Sequence, residues 1–286
     1  MFLQIHVDLE NKSCIFGAFM KIGNVFSLLL VIMLLGSCSK FNKILKSNDY
    51  DYKLKMAQAY YDRKDYRRAQ VLYEELFPIF KGTPQYEDLF YRYATCAYKQ
   101  RDYLSAQGLF SNFLETFPNS SKAEEIEFLE AFSYYKQSPK PDLDQSNTHK
   151  AMGMMQTFIN THPGSDRNKE AQDIIDVCYK KLESKELRSA ELYYNMGQYR
   201  AAAIAYTSLI NNFPESLKGD EYKLMAIRSY YKYASMSVIE KQEERFQKVI
   251  NEVQDFQDRF PESKLLSEAE RYLTLSNDFI KSLTKK

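Results

Sequence analysis

The chain has 286 residues, with Lys plus Arg at 39 against Asp plus Glu at 38, and the two signs interleave along its length. It has no basic block to form the concentrated positive face that a nucleic-acid partner requires. Hydrophobic residues at 44% supply a sizeable core, while few Gly (9) and Pro (8) disfavour an all-β fold built on many tight turns. A mostly helical chain is expected.

Residues 25–35, Val-Phe-Ser-Leu-Leu-Leu-Val-Ile-Met-Leu-Leu, carry one polar side chain. The run is shorter than the ~20 apolar residues that cross a bilayer, and its length suits the apolar region of a signal peptide. Lys21 precedes it and Leu35-Gly36-Ser37-Cys38 follows. That tetrapeptide resembles the bacterial lipobox, whose Cys is acylated on sulfur and becomes the first residue of the mature chain. The resemblance makes Cys38 the lipidation site; a buried apolar segment that merely ends in a cysteine is the alternative. Met20-Lys21 is the better signal-peptide start, so residues 1–19 read as an upstream extension and 20–37 as the lipoprotein signal. Residues 38–49 then read as a lipidated linker. Ser39-Lys40 brings no acidic residue behind the Cys. By resemblance to lipoprotein sorting rules, this implies release to the outer membrane, lipid-anchored, with the body in the periplasm.

Beyond the linker the chain repeats. Phe117-Pro118-Asn119-Ser120, His162-Pro163-Gly164-Ser165, Phe213-Pro214-Glu215-Ser216 and Phe260-Pro261-Glu262-Ser263 share one pattern. Twelve residues before each Pro stands a small residue: Ala106, Ala151, Ala202 or Val249. Three residues earlier come Tyr103, Thr148, Tyr199 and Phe246, and four residues later Phe110, Met155, Tyr206 and Val253. A first copy has Tyr66, Ala69 and Tyr73, then Phe80-Lys81-Gly82-Thr83, where Lys81 replaces the Pro. Positions i and i+4 share a helix face, and the small residue allows a neighbouring helix to approach closely. The Pro stops the helix, and the Ser is expected to cap the next one. Short turns at Arg63-Lys64-Asp65-Tyr66, Gln100-Arg101-Asp102-Tyr103 and Met196-Gly197-Gln198-Tyr199 fit antiparallel helix pairs.

The pattern resembles the tetratricopeptide repeat, with its small, aromatic and Pro positions in register. The period departs from the family's ~34 residues: successive small residues lie 37, 45, 51 and 47 apart. Two features absorb the excess, a loop over 138–148 and a long helix over 166–196. Pro78 should kink or end its helix. The expected architecture is an all-α, right-handed superhelical array of five hairpins, with repeats at about 50–83, 84–120, 121–165, 166–216 and 217–263. A capping helix at 264–282 would close the apolar end of such a stack.

The remaining chemistry-bearing residues fit packing. Cys96 and Cys178 fall in apolar helical stripes two repeats apart and read as core residues. A disulfide needs Cα atoms within about 7 Å. His6, His149 and His162 share no metal-like spacing, and His162 stands where other repeats have Phe. Glu124-Glu125 and Glu243-Glu244 are adjacent on helices and read as solvated faces. No nucleophile set, phosphate loop or metal motif is present in the sequence. Neither an enzyme nor a cofactor is expected.

The run from Ala190 to Ala202, Ala-Glu-Leu-Tyr-Tyr-Asn-Met-Gly-Gln-Tyr-Arg-Ala-Ala, leads to Phe213-Pro214. With the lipobox in front and the loop in repeat three, the mature chain resembles the BamD family of outer-membrane assembly lipoproteins. That resemblance implies a scaffold that docks on the periplasmic POTRA domains of a BamA-like β-barrel subunit. It also implies that the first repeats receive unfolded outer-membrane protein substrates. Ala205 departs from the family, where Arg is often expected, and puts in doubt any contact made by that Arg. Other helical-repeat envelope lipoproteins, pilotin-like or division-coordinating, are alternatives. A glycan-binding importer lipoprotein is a weaker one, because such proteins are much larger and favour Trp platforms. This chain has no Trp.

Overall fold

The computed structural model describes residues 40–283. After a short helical turn at residues 40–45, eleven helices follow among the described residues, and no strand. They are α1 (Tyr50–Asp62), α2 (Tyr66–Phe80), α3 (Tyr86–Lys99), α4 (Tyr103–Thr116), α5 (Ala123–Lys136) and α6 (Ser146–Thr161). Then come α7 (Asn168–Asn195), α8 (Tyr199–Asn212), α9 (Gly219–Ser235), α10 (Ile239–Arg259) and α11 (Leu266–Leu283). The chain divides into two compact units, and the division falls within α5 between Glu130 and Ala131.

In the first unit α1 packs on α2, α2 on α3 and α3 on α4. Its core holds Ala57, Ala69, Leu72, Tyr73, Leu76 and Leu89. An aromatic group extends it: Phe77 meets Phe90 and Tyr93 edge-on, and Phe90 meets Phe113 in the same way. Each such pair adds about 1 kcal/mol beyond the area it buries. In the second unit each helix from α6 to α11 packs on the next, and α9 also meets α11. Tyr206, Leu209, Phe213 and Tyr222 form one core there, and Val249, Val253, Phe256 and Ala269 another.

The five small residues, Ala69, Ala106, Ala151, Ala202 and Val249, are all fully buried, as are Tyr73, Phe110 and Met155 four residues on. The turns inside the hairpins share one geometry. Lys64, Arg101 and Gly197 all sit at positive φ, between 61° and 73°. Asp65 N–H donates to the Tyr60 carbonyl, Asp102 to Ala97 and Gln198 to Tyr193. This is the six-to-one bond of a Schellman ending, which satisfies the last carbonyls of the first helix. Across each turn two tyrosines meet edge-on: Tyr61 with Tyr66, Tyr98 with Tyr103, and Tyr194 with Tyr199.

The stops are equally uniform. Phe117, His162, Phe213 and Phe260 have φ of −129°, −123°, −127° and −133°. The following Pro disfavours helical geometry at the residue before it. The Ser then closes a turn, its N–H donating to the carbonyl of that residue at 3.0–3.1 Å. Phe80-Lys81-Gly82-Thr83 reaches the same end without Pro. Lys81 at φ −55° and Gly82 at φ +83° form a type II turn, whose third position calls for glycine. α2 runs two residues past Pro78 before stopping at Phe80.

Residues 40–45 form a helical turn whose apolar side packs on the first hairpin, with Ile44 buried. Three expectations need correction. The loop of the third repeat ends earlier than 148, since α6 already begins at Ser146. The repeat serines do not cap the next helix directly. Each hydroxyl accepts from the N–H two residues on, at 3.0–3.2 Å, and so caps the turn that leads into the helix. Glu125 is not simply solvated, because it accepts a 3.0 Å hydrogen bond from the Tyr91 hydroxyl.

Candidate protein-interaction surfaces

Three of the repeat serines also donate to a carboxylate on a helix that precedes them. Ser120 donates to Glu87 at 2.7 Å, Ser216 to Glu183, and Ser263 to Asp220 at 2.6 Å. Glu183 accepts in addition from the Tyr222 hydroxyl at 2.9 Å. Burial pushes the Tyr222 phenol up, and the Glu183 charge adds to that. These latches tie the end of one hairpin back to its own first helix and hold the next helix at a fixed entry angle.

A groove of about 380 Å³ lies between α7 and α9, lined by Leu187, Glu191, Tyr194, Tyr222 and Met225. Tyr206 of α8 lies beneath it, and burial pushes that phenol up to about 12. The groove thus offers aromatic and apolar walls rimmed by charge, the mixture found in protein-binding clefts. A second groove, about 490 Å³, runs between Arg200 of α8, Tyr230 and Tyr233 of α9, and Arg245 and Lys248 of α10. Arg245 stacks 4.2 Å from the Tyr233 ring centre and Lys248 lies 5.6 Å from that of Tyr230.

The turn between α9 and α10 adds an apolar tip. Met236, Val238 and Ile239 are 73%, 66% and 69% exposed. The turn is braced by hydrogen bonds: Gln242 donates to the Ser237 carbonyl at 3.0 Å, and Arg245 donates to the Ser237 hydroxyl. Three large apolar side chains exposed together on one turn make it a candidate contact surface. The sequence signal was available, since Met236 to Ile239 has no charge between two charged helices.

The loop of the third repeat is fastened to α7. Lys181 donates to the Ser138 hydroxyl at 2.6 Å, Lys185 to the Leu143 carbonyl at 2.7 Å, and Arg188 to Asp142 at 2.6 and 2.7 Å. Three cations at helical spacing thus turn an irregular segment into a fixed ridge with Leu143 exposed at its crest.

Of the residues singled out from sequence, Cys38 and His6 lie outside the described residues. Cys96 and Cys178 are buried free thiols. Burial pushes the Cys96 thiol up to about 12 and the Cys178 thiol upward as well, which works against the thiolate form in both. His162 packs 5.0 Å from Phe158, centroid to centroid. His149 is exposed. Ala205 is half-buried against the core around Tyr206. Among the described residues, no group of His, Cys, Asp and Glu could hold a metal ion, and no helix is long and apolar enough to cross a membrane.

A family model described as outer membrane lipoprotein, YfiO, matches residues 51–244. Solved structures similar to the chain are helical-repeat proteins. The TPR2AB-domain:pHSP90-complex of yeast Sti1 has 12% identity over 80% of this chain and 98% of that one, with a TM-score of 0.35. The TPR domain of P58(IPK) has 15% identity over 86% and 69%, with a TM-score of 0.39. A TPR repeats protein of Bacteroides fragilis has 14% identity over 82% and 100%, with a TM-score of 0.36. No curated protein sequence matches the chain.

Proposed function

This chain belongs to the outer membrane lipoprotein family YfiO, and from that premise we propose that it is a non-catalytic scaffold of the β-barrel assembly machinery. Acyl chains on Cys38 anchor it to the outer membrane, with its helical body in the periplasm. It binds the POTRA domains of a BamA-like barrel subunit, and its first hairpins receive unfolded barrel substrates. The observation that carries this reading is the family match, which runs from α1 into α10. Helix-pair arrays present extended surfaces suited to partner domains and unfolded segments. The apolar tip at Met236, Val238 and Ile239 and the neighbouring grooves are the docking face of the fourth and fifth hairpins.

The test is a pull-down of C-terminally tagged protein from detergent-solubilised membranes, with mass spectrometry of the bound fraction. The POTRA-bearing subunit is expected in near-equal amount. Val238→Asp with Ile239→Asp, at exposed positions, should weaken that recovery about tenfold, a loss of about 1.4 kcal/mol, and leave the helical spectrum unchanged. Recovery of a secretin or a sugar importer instead would sink the assembly role.

A further inference from the structure

The inward side of the 40–45 turn is fixed to the first hairpin by several contacts. Ile44 is buried. Phe41 meets the Tyr60 ring edge-on at 5.7 Å, and the Arg68 guanidinium lies 5.7 Å from the Phe41 ring centre. Lys53, itself buried, donates to the Leu45 carbonyl at 2.9 Å while pairing with Glu75 at 2.8 Å. A cation on the last carbonyls of a helical turn sits at its favourable pole. The outward side carries Lys40, Lys43 and Lys46, all exposed and spaced three apart along one stripe. No acidic residue interrupts residues 40–46; the first are Asp49 and Asp51.

Cys38 stands two residues before Lys40, a reach of at most about 7 Å. We infer that the lysine stripe of residues 40–46 rests on anionic lipid headgroups, so that the first hairpin is held against the membrane surface by contact as well as by its acyl anchor. The inference rests on acylation of Cys38. It follows from how short the reach is and from charge complementarity. A docked turn cannot withdraw its lysines from a surface about 7 Å away without breaking the Phe41, Ile44 and Lys53 contacts. Lipid chains and a basic patch are complementary anchoring signals. Each lysine near an anionic surface strengthens attachment roughly fivefold, an effect that salt screens.

The chain has no Trp, so Asn42→Trp, at an exposed position of the same turn, introduces a single fluorophore. The full-length lipoprotein is purified from membranes and its intact mass is read for acyl chains. It is then reconstituted into phosphatidylethanolamine–phosphatidylglycerol vesicles whose headgroups carry a spin label. Quenching of Asn42→Trp is expected to be roughly twofold greater than in neutral phosphatidylcholine vesicles. That excess should vanish at about 0.5 M salt and when Lys40, Lys43 and Lys46 are all replaced by Gln. Leu104→Trp, on the second hairpin, should show no dependence on lipid charge. An acylated protein quenched equally in anionic and neutral vesicles overturns the headgroup contact and leaves the anchor standing. Absence of acyl mass on Cys38 overturns the anchor itself, and the inference with it.

Discussion

Lys64 and Arg101 occupy a backbone conformation that costs an L-residue with a Cβ roughly 1 kcal/mol, at φ 61° and 63°. Gly197 holds the equivalent place at φ +73°, with nothing within 4 Å of where a Cβ would stand. The three positions share one backbone conformation, which glycine adopts at no steric cost. Lys64→Gly and Arg101→Gly should each stabilise the protein by about 0.5–1 kcal/mol, offset in part by the greater freedom of glycine in the unfolded chain. Gly197→Ala should destabilise it by about 1 kcal/mol. Urea unfolding at neutral pH measures all three, and equal midpoints for Lys64→Gly, Arg101→Gly and the parent would show that the turns carry no such strain. Gly197 was legible as part of a family signature, but its physical reason emerges only from the turn. Lys64 and Arg101 carried no sequence signal, because a positively charged residue in a polar turn looks ordinary until its φ is known.

Helix pairs are joined by more than apolar contact. Between α9 and α10, Lys223 is buried and pairs with Glu252 and Asp255, both at 2.5 Å, while Lys248 reaches the other Glu252 oxygen at 2.5 Å. Burial alone pushes the Glu252 carboxyl up, and the hydrogen bonds from Lys223 and Lys248 overcome it and hold the group below its ordinary value of 4.5. A carboxylate depressed in the folded state contributes stability that is fully present above its unfolded pKa and lost as pH falls through its folded one. The same sign holds for Asp88, whose burial is outweighed by hydrogen bonds from Arg92 and Lys122. Thermal stability should therefore fall as pH drops below about 4.5. Glu252→Gln leaves Lys223 with one carboxylate partner and should cost about 3 kcal/mol at pH 7. It should also flatten the acid limb, so a variant as acid-sensitive as the parent would remove Glu252 from that role. This network was not legible in sequence, because Lys223 and Glu252 lie 29 residues apart on helices whose facing sides the repeat pattern alone did not fix. The hairpins were legible, since Ala, aromatic and Phe-Pro positions recur with the helical period and each has one physical task. The loop and the long helix of the third and fourth repeats were each foreseen, but their dependence on one another was not. Lys181, Lys185 and Arg188 read as surface charge until Ser138, Asp142 and Leu143 are seen to meet them.

At the scale of the molecule, a stack of hairpins ends with an apolar face that nothing further covers unless a cap supplies it. The need for such a cap was legible. The division of the chain within α5 was not, because Ala123–Lys136 reads as one uninterrupted helix. α11 and the residue before it lay Leu265, Leu266, Tyr272 and Leu273 against the core of Val249, Val253 and Phe256, and Arg228 of α9 pairs with Glu268 of α11. Phe279 packs 4.4 Å from Phe246, centroid to centroid. Half-burying five large apolar side chains is worth roughly 5 kcal/mol of gross stabilisation at about 1 kcal/mol each. Deleting residues 264–286 should therefore loosen α9 and α10, which pack on the cap, far more than α7 and α8, whose main packing partners are other helices. Hydrogen exchange resolves the difference: amide protection in α9 and α10 should fall by several orders of magnitude, while α7 and α8 keep most of theirs. A uniform fall from α7 to α10 would mean that stability in this unit is shared by all its hairpins and is not a sum of nearest-neighbour contacts. The exposed face would then matter to the unit as a whole, and every core substitution in it should shift all the hairpins together.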